Sequence, residues 1–244
     1  MKIGIIGAAE MGSLLATKLI ALGHEVSIAN SRGADTLKSL ADEIGANAVS
    51  IEEVTKNKEV IIIAIPLINI PDLPKESFTN IPENVVVIET CNYYPTLRDG
   101  NISELQEIGI DSLWVQTVLG VTITKIFNSI LATSLATLGK NKGDKDRIAI
   151  GISGDNNKSK EIAIKIANAF GFDTFDVGPI SQSWKLQPGS PIYCRDLPLQ
   201  ELKKRADDLG NNWNEKRGEI LSKRKADEKL MAKDYPEYLR RLKD

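Results

Sequence analysis

Lys2-Ile3-Gly4-Ile5-Ile6-Gly7-Ala8-Ala9-Glu10-Met11-Gly12 is the stretch that decides the fold. The apolar run Lys2–Ile6 is too brief for a helix and ends in glycine, so it reads as a buried strand. Met11, Leu14, Leu15, Leu19 and Leu22 then recur at helical spacing, and Gly23 supplies a stop. Between strand and helix, residues 7–12 occupy the place where a dinucleotide fingerprint sets a tight glycine turn and aims a helix N-terminus at a pyrophosphate. Gly7 permits the turn and Gly12 lets the helix pack closely on the strand. Ala9 stands where the middle glycine is usual, and Glu10 brings a carboxylate that should face solvent. A turn that uses glycine for geometry alone would look the same; strand, turn length, amphipathic helix and a second strand together favour the nucleotide.

The pattern continues outward. Glu25–Ala29 is a second strand and residues 34–44 a helix with Leu37, Leu40, Ala41 and Ile44 on one face. Residues 59–65 are continuous and β-branched, as in a strand covered on both faces, and residues 85–88 repeat the pattern. Residues 113–119 read as a further strand. Strands alternating with helices predict a parallel sheet with right-handed crossovers. In the second half, residues 126–138 and 158–170 read as helices, and 147–152 and 172–177 as strands. Residues 200–209 and 212–233 are helical stretches carrying both charge signs, the pattern of a solvated face or a partner-docking one.

The fold class expected is therefore α/β: a Rossmann doubly wound, mainly parallel sheet, a smaller C-terminal α/β part and charged C-terminal helices. The divisions expected are residues 1–121 for nucleotide binding, 122–202 for a substrate or cap domain, and 203–244 for the charged tail.

Composition narrows the chemistry. Lys plus Arg is 31 against 33 for Asp plus Glu, a net charge of −2, which removes the basic excess of a nucleic-acid or anionic-membrane binder. His24 is the only histidine, and Cys91 and Cys194 the only cysteines. No Cys/His zinc site can be assembled from that supply, so no metal is expected. A histidine-based hydrolase would have to use His24, which sits in the turn before the second strand and reads as structural. No run approaches the ~18 apolar residues of a membrane span, and two distant cysteines suit a reducing interior. The expectation is a cytoplasmic protein whose chemistry comes from a bound cofactor.

An NAD-specific site places Asp or Glu at the end of the second strand, to accept from the ribose hydroxyls. Here that place holds Asn30-Ser31-Arg32-Gly33, with no carboxylate. Asn30 removes the repulsion an acid would impose on a 2′-phosphate, Ser31 offers a hydroxyl, Arg32 offers a planar fork, and Gly33 lets the backbone turn around the group. A polar loop before a helix would share this composition; the spacing from Gly12 favours NADP(H).

With these residues in hand, the chain resembles the NADP oxidoreductases of the coenzyme F420-dependent type. The resemblance is carried by residues 7–12, by Asn30-Ser31-Arg32-Gly33, by Lys125-Ile126-Phe127-Asn128 and by Ser134-Leu135-Ala136-Thr137-Leu138-Gly139. Cys91-Asn92-Tyr93-Tyr94-Pro95, Arg98-Asp99-Gly100 and Ser183-Trp184-Lys185-Leu186-Gln187-Pro188-Gly189 are similar to a subgroup with a longer C-terminal half. The likeness implies hydride transfer between NADP(H) and a deazaflavin, coenzyme F420, as second substrate. By position it gives Ser31 and Arg32 to the 2′-phosphate, Gly7, Ala8, Ala9, Glu10, Met11 and Gly12 to the pyrophosphate, and Ala64, Ile65 and Pro66 to the segment along the cofactor.

Ligands in open α/β sheets lie beyond the carboxyl ends of strands. Thr90 and Asn92, at one such end, are placed to hydrogen-bond the nicotinamide ribose or carboxamide, and Tyr93 and Tyr94 to stack on a flat ring. Cys91 has no basic neighbour in sequence and reads as a small filler rather than a nucleophile. Lys125 and Asn128 flank the start of the second half; Lys125 either orients an acidic substrate or donates a proton, or is a surface lysine near a helix start. Trp184 is either a rim over the cleft or a loop anchor. No catalytic residue is assigned, because hydride transfer between conjugated rings needs alignment more than an acid or base. The expected partner is a small-molecule hydride acceptor, the deazaflavin of the resemblance or else a flavin, a quinone or a small carbonyl compound, with a homodimer through the charged helices. The rival reading is a non-catalytic NADP(H) sensor whose helical tail binds a partner.

Overall fold

Val60-Ile61-Ile62-Ile63 is buried throughout, on both faces of its strand, which requires a layer of helices on each side of the sheet. The computed structural model describes residues 1–79 and 81–242; the last two residues of the expected tail, 243–244, lie outside the described residues.

The first half contains β1 (Lys2–Ile6), α1 (Glu10–Ala21), β2 (Glu25–Ala29), α2 (Lys38–Ile44), β3 (Asn47–Ala48), α3 (Ile51–Val54), β4 (Val60–Ile63), α4 (Glu76–Thr79) and β5 (Val86–Glu89). There follow α5 (Ser103–Ile108), α6 (Asp111–Leu119), β6 (Thr124–Lys125), α7 (Ala132–Thr137), β7 (Ala149–Gly154), α8 (Asn157–Ala169) and β8 (Asp173–Asp176). The chain closes with α9 (Leu199–Asp208), α10 (Trp213–Lys233) and α11 (Tyr235–Leu242).

These strands form one sheet in the order β3-β2-β1-β4-β5-β6-β7-β8. Pairing is parallel from β3 to β6, β7 runs antiparallel to β6, and β8 is parallel to β7. Alternate residues go to opposite faces. Ile3, Ile5, Ile28, Ile62 and Ile88 pack with Leu15 and Leu19 of α1 and Ile166 of α8. Ile6, Ile61, Ile63 and Val87 pack on the other side with Phe78, Trp114 and Val115. Each fully buried side chain of this kind contributes roughly 1.5–3 kcal/mol. Strand order turns back after β1, so the crevice beyond the carboxyl ends of β1 and β4 is the switch point where ligands of such sheets bind. The fold is the expected α/β Rossmann class.

Two element readings are corrected. Residues 113–119 are helical, inside α6, not a strand. Asp111 begins the first turn, Asp111, Ser112 and Val115 make a buried stripe at helical spacing, and Gly120 ends the helix in the left-handed conformation at φ 67. A short apolar run does not separate strand from buried helix by itself. The helix expected over residues 126–138 is confined to Ala132–Thr137. Phe127 adopts φ 64, which no continuing helix permits, and the preceding residues form β6 instead.

The charged tail packs on the chain's own body. On α10, Ile220, Arg224 and Glu228 stand four residues apart on one buried stripe, and the Trp213 and Trp184 rings meet 5.5 Å apart. Tyr238 and Leu242 of α11 pack with Tyr193 and Cys194. No helix among the described residues is long and apolar enough to cross a membrane.

Candidate cofactor and substrate cleft

The carboxyl ends of β1, β4 and β5 open onto a cleft of about 300 Å³. The β1–α1 turn forms one end of it. Gly7 sits at φ 105, and a Cβ there would strike the Ala64 carbonyl; a Cβ on Gly12 would strike the Gly7 carbonyl. Both glycines are thus required by close backbone approach. Ala9 adopts φ −79, ψ −170, ordinary extended backbone, so its methyl carries no conformational penalty where glycine was the expected residue. Ala9 and Glu10 are exposed at the cleft, and no side chain caps α1, which leaves the N–H groups of its first turn available to an anion.

At the end of β2, Asn30 shapes the loop: its Oδ1 accepts from the Arg32 backbone at 2.9 Å and its Nδ2 donates to Thr36 Oγ1 at 3.0 Å. Gly33 turns the chain at φ 91. Ser31 and Arg32 are exposed, and among the described residues the Arg32 guanidinium has neither hydrogen-bond nor ion-pair partner. An unpaired planar cation on a loop fixed by its neighbour is suited to a phosphate.

Ala64, Ile65 and Pro66 after β4, and Thr90, Cys91 and Asn92 after β5, line the middle of the cleft. Thr90 Oγ1 donates to the Ile63 carbonyl at 3.1 Å. Asn92 and Asn128 lock together: Asn92 Nδ2 donates to the Asn128 carbonyl at 3.0 Å, and Asn128 Nδ2 donates to Asn92 Oδ1 at 3.1 Å and to the Leu186 carbonyl at 2.6 Å. Asn128 is buried on the cleft wall, yet its Oδ1 has no donor among the described residues. A buried acceptor left unsatisfied is costly, and the N–H₂ of a carboxamide is the kind of group that would satisfy it. Capped neither at α1, nor at Arg32, nor at Asn128, the donor and acceptor set fits a nicotinamide dinucleotide.

Three residues with expected substrate roles lie elsewhere. Lys125 is fully buried, neither surface nor substrate-facing: its Nζ is 3.0 and 3.3 Å from the Glu89 oxygens and 2.9 Å from the Cys91 carbonyl. Ser112 donates to the same carboxylate at 2.6 Å. Tyr93 points away from the cleft, donating to the Gly100 carbonyl at 2.8 Å under the Arg224 guanidinium. Trp184 is a core anchor, fully buried against Trp213. Cys91 is buried too, and burial pushes its thiol well up, so it is no nucleophile at neutral pH.

Other cleft residues had no role from sequence. Tyr193 and Tyr235 come from the second half and the tail, and the Tyr94 and Tyr193 hydroxyls bond directly to each other. Phe127 and Cys194, both in the left-handed region at φ 64 and 53, line the same space; such strain gathers where the surrounding structure over-determines a site. Arg98 stacks on Tyr94, 5.3 Å from the ring centroid. Its turn, Pro95–Asp99, is clamped by the tail. Glu228 Oε2 accepts from Thr96 N and Oγ1, both at 2.7 Å, and from Leu97 N at 2.8 Å. Nothing in a charged helix marks which glutamate will turn inward.

Residues 2–93 match the family described as NADP oxidoreductase, coenzyme F420-dependent, so this N-terminal part carries the sequence signature of an NADP-dependent oxidoreductase family. The chain is also 34% identical over 55 residues to the YjhV protein of Escherichia coli (strain K12). That alignment covers 22% of this chain and 40% of the relative, so the chain spans less than half of the relative's length. Among solved structures it is similar to the hypothetical protein SMa0349 from Sinorhizobium meliloti, at TM-score 0.64 and 25% identity over 79% of this chain and 92% of that one. A protein named as a candidate F420-dependent NADP-reductase from Arthrobacter sp. FB24 gives TM-score 0.62 and 19% identity over 75% and 87%. A pyrroline-5-carboxylate reductase from Coxiella burnetii gives 0.51 and 16% over 98% and 82%; both likenesses concern the fold.

Proposed function

We propose that this chain is an NADP(H)-dependent oxidoreductase that passes hydride between the nicotinamide and an organic acceptor held in the same cleft. The observation that carries the reading is Arg32: an exposed guanidinium without a partner among the described residues, just past the end of β2, with no carboxylate at the nucleotide-selecting position and an uncapped α1 N-terminus after the neighbouring strand. In this reading the first turn of α1 holds the pyrophosphate, Ser31 and Arg32 hold the 2′-phosphate, and Asn128 Oδ1 accepts from the carboxamide. Pro66, Thr90 and Asn92 set the plane of the ring. A deazaflavin is the acceptor that the family description carries. When bound, the nicotinamide supplies or takes the hydride; the chain supplies orientation and excludes water.

Fluorescence titration with NADPH and NADH tests this. NADPH should bind at least tenfold more tightly than NADH. Arg32→Ala should weaken NADPH by roughly 10–100-fold, the loss of charge-assisted hydrogen bonds of ~1.5–3 kcal/mol, and leave NADH unchanged. Equal binding of the two nucleotides, or an unaltered preference in Arg32→Ala, defeats the assignment.

A further inference from the structure

We propose that the acceptor is a compact aldehyde or ketone rather than a fused three-ring molecule, and that Tyr94 donates the proton to its oxygen while Tyr193 holds and reprotonates Tyr94. The proposal rests on the nicotinamide reading of the cleft and adds the substrate class.

Space comes first. The cleft measures about 300 Å³, at the floor of the ~300–1,000 Å³ range for small-molecule sites, and it must admit the nicotinamide end as well. Tyr193, Phe127 and Leu131 line it, with Tyr235 of α11 half-exposed at its edge. α11 is fixed there by Tyr238 and Leu242 in the Tyr193–Cys194 cluster and by Arg195 Nη1, which donates to the Arg241 carbonyl at 2.7 Å. The tail thus sets a fixed tyrosine at the edge of a cleft whose volume suits a compact acceptor beside the nicotinamide.

The hydroxyl pair comes second. Tyr94 and Tyr193 are bonded to each other, the Tyr193 hydroxyl also lies against the Cys194 thiol, and the Tyr94 hydroxyl has no further hydrogen-bond partner among the described residues. In such a pair one O–H donates to the other oxygen, and the second O–H is left over. A spare phenol proton in a cleft wall is a donor without an acceptor, and a carbonyl oxygen is the group that completes it. Donation from Tyr193 into Tyr94 also strengthens Tyr94 as a donor by polarising it. Burial raises both phenols above their ordinary range, which keeps them protonated at neutral pH. The Arg98 guanidinium over the Tyr94 ring stabilises the phenolate that Tyr94 becomes.

The step balances. As the carbonyl carbon receives hydride from the reduced nicotinamide dinucleotide, the C=O π pair takes the Tyr94 proton and becomes the O–H bond. Tyr94 recovers a proton from Tyr193, and Tyr193 from water. One carbonyl, one hydride and one proton give one alcohol.

The test uses the full-length chain, with wild type, Tyr94→Phe and Tyr193→Phe compared for NADPH affinity, NADPH oxidation and mimic binding. Wild type should oxidise NADPH with aldehydes or ketones of a few carbons and not with coenzyme F420. Tyr94→Phe should lower kcat by roughly 10²–10⁴-fold, the usual worth of a positioned acid, with NADPH affinity intact. Its solvent deuterium isotope effect on kcat should differ from that of wild type, since the acid has been removed. Binding of propionamide, an unreduced carbonyl mimic, to the NADP⁺ complex should weaken about tenfold in Tyr94→Phe by calorimetry, which reads the hydrogen bond without turnover. Tyr193→Phe should lower kcat by a smaller factor. Turnover of coenzyme F420, or a Tyr94→Phe variant with wild-type kcat and wild-type propionamide binding, overturns the proposal. Failure of wild type to bind NADPH overturns the functional reading beneath it; tight NADPH binding with no compact carbonyl reduced overturns this inference alone.

Discussion

Lys125→Met is the substitution whose consequence follows most directly from the geometry. Both Lys125 and Glu89 are at 0% side-chain exposure, joined at 3.0 Å across the β5–β6 pairing, directly under the cleft. Deleting the cation leaves Glu89 buried with the Ser112 hydroxyl and the weakly donating Cys91 thiol beside it. Breaking a buried pair from one side costs about 3–5 kcal/mol, because the surviving charge has lost both water and partner. At roughly 2–4 °C per kcal/mol for a chain of this length, Tm should fall by roughly 6–20 °C. The double variant Glu89→Leu/Lys125→Met removes both charges. It should recover most of that loss, less about 1 kcal/mol each for the stranded Ser112 hydroxyl and Cys91 carbonyl. Thermal and urea unfolding followed by circular dichroism measure all three, and NADPH titration of the folded variants shows whether the cleft is intact. A Lys125→Met protein with unchanged Tm but no turnover would refute the reasoning, since it would place the lysine in the chemistry rather than in the floor.

Other consequences are as direct. Glu228→Ala strands three donors of the Pro95–Asp99 turn, and should cost about 2–4 kcal/mol and raise KM for the acceptor while leaving NADPH affinity alone. Burial raises the Cys91 thiol and pushes that of Cys194 up to about 12, so a disulfide reagent at about pH 8 should label neither until denaturant opens the chain; fast labelling of native protein would contradict the packing. On α11, hydrogen bonds from Arg240 and Arg241 hold Glu237 at about 2, below its unfolded value of 4.5. Its stabilising contribution is therefore present above 4.5 and disappears as pH falls toward 2. Near-ultraviolet circular dichroism of the tyrosines should show α11 loosening over that window, and Glu237→Gln should flatten the difference.

Whatever depends on neighbours in the chain was legible in the residues themselves. Lys2–Ile6, the turn through Gly7 and Gly12, and the all-apolar run around Ile62 are local patterns, and local patterns determined the Rossmann class and the cleft end built by Ala9, Glu10, Pro66, Thr90 and Asn92. Asn30-Ser31-Arg32-Gly33 was legible for the same reason: its position at the end of β2 follows from counting. Residues 113–119 misled because seven apolar-rich positions fit a strand and a buried helix equally, and only packing against β4 and β5 selects the helix.

The other wall of the cleft was decided by tertiary structure. Tyr94 meets Tyr193 across a sequence separation of 99, and Glu228 reaches Thr96 across 132. No spacing rule encodes such pairs, because they depend on where α10 and α11 dock. The same holds for charge. Arg224 and Glu228 look like any other members of a charged helix, yet they turn inward because the buried Asp111 carboxylate and the Thr96–Leu97 backbone offer partners. Lys125 is the clearest case: the sequence could say that a lysine stood beside the cleft. Only the register of β5 against β6 put Glu89 next to it and made it part of the floor.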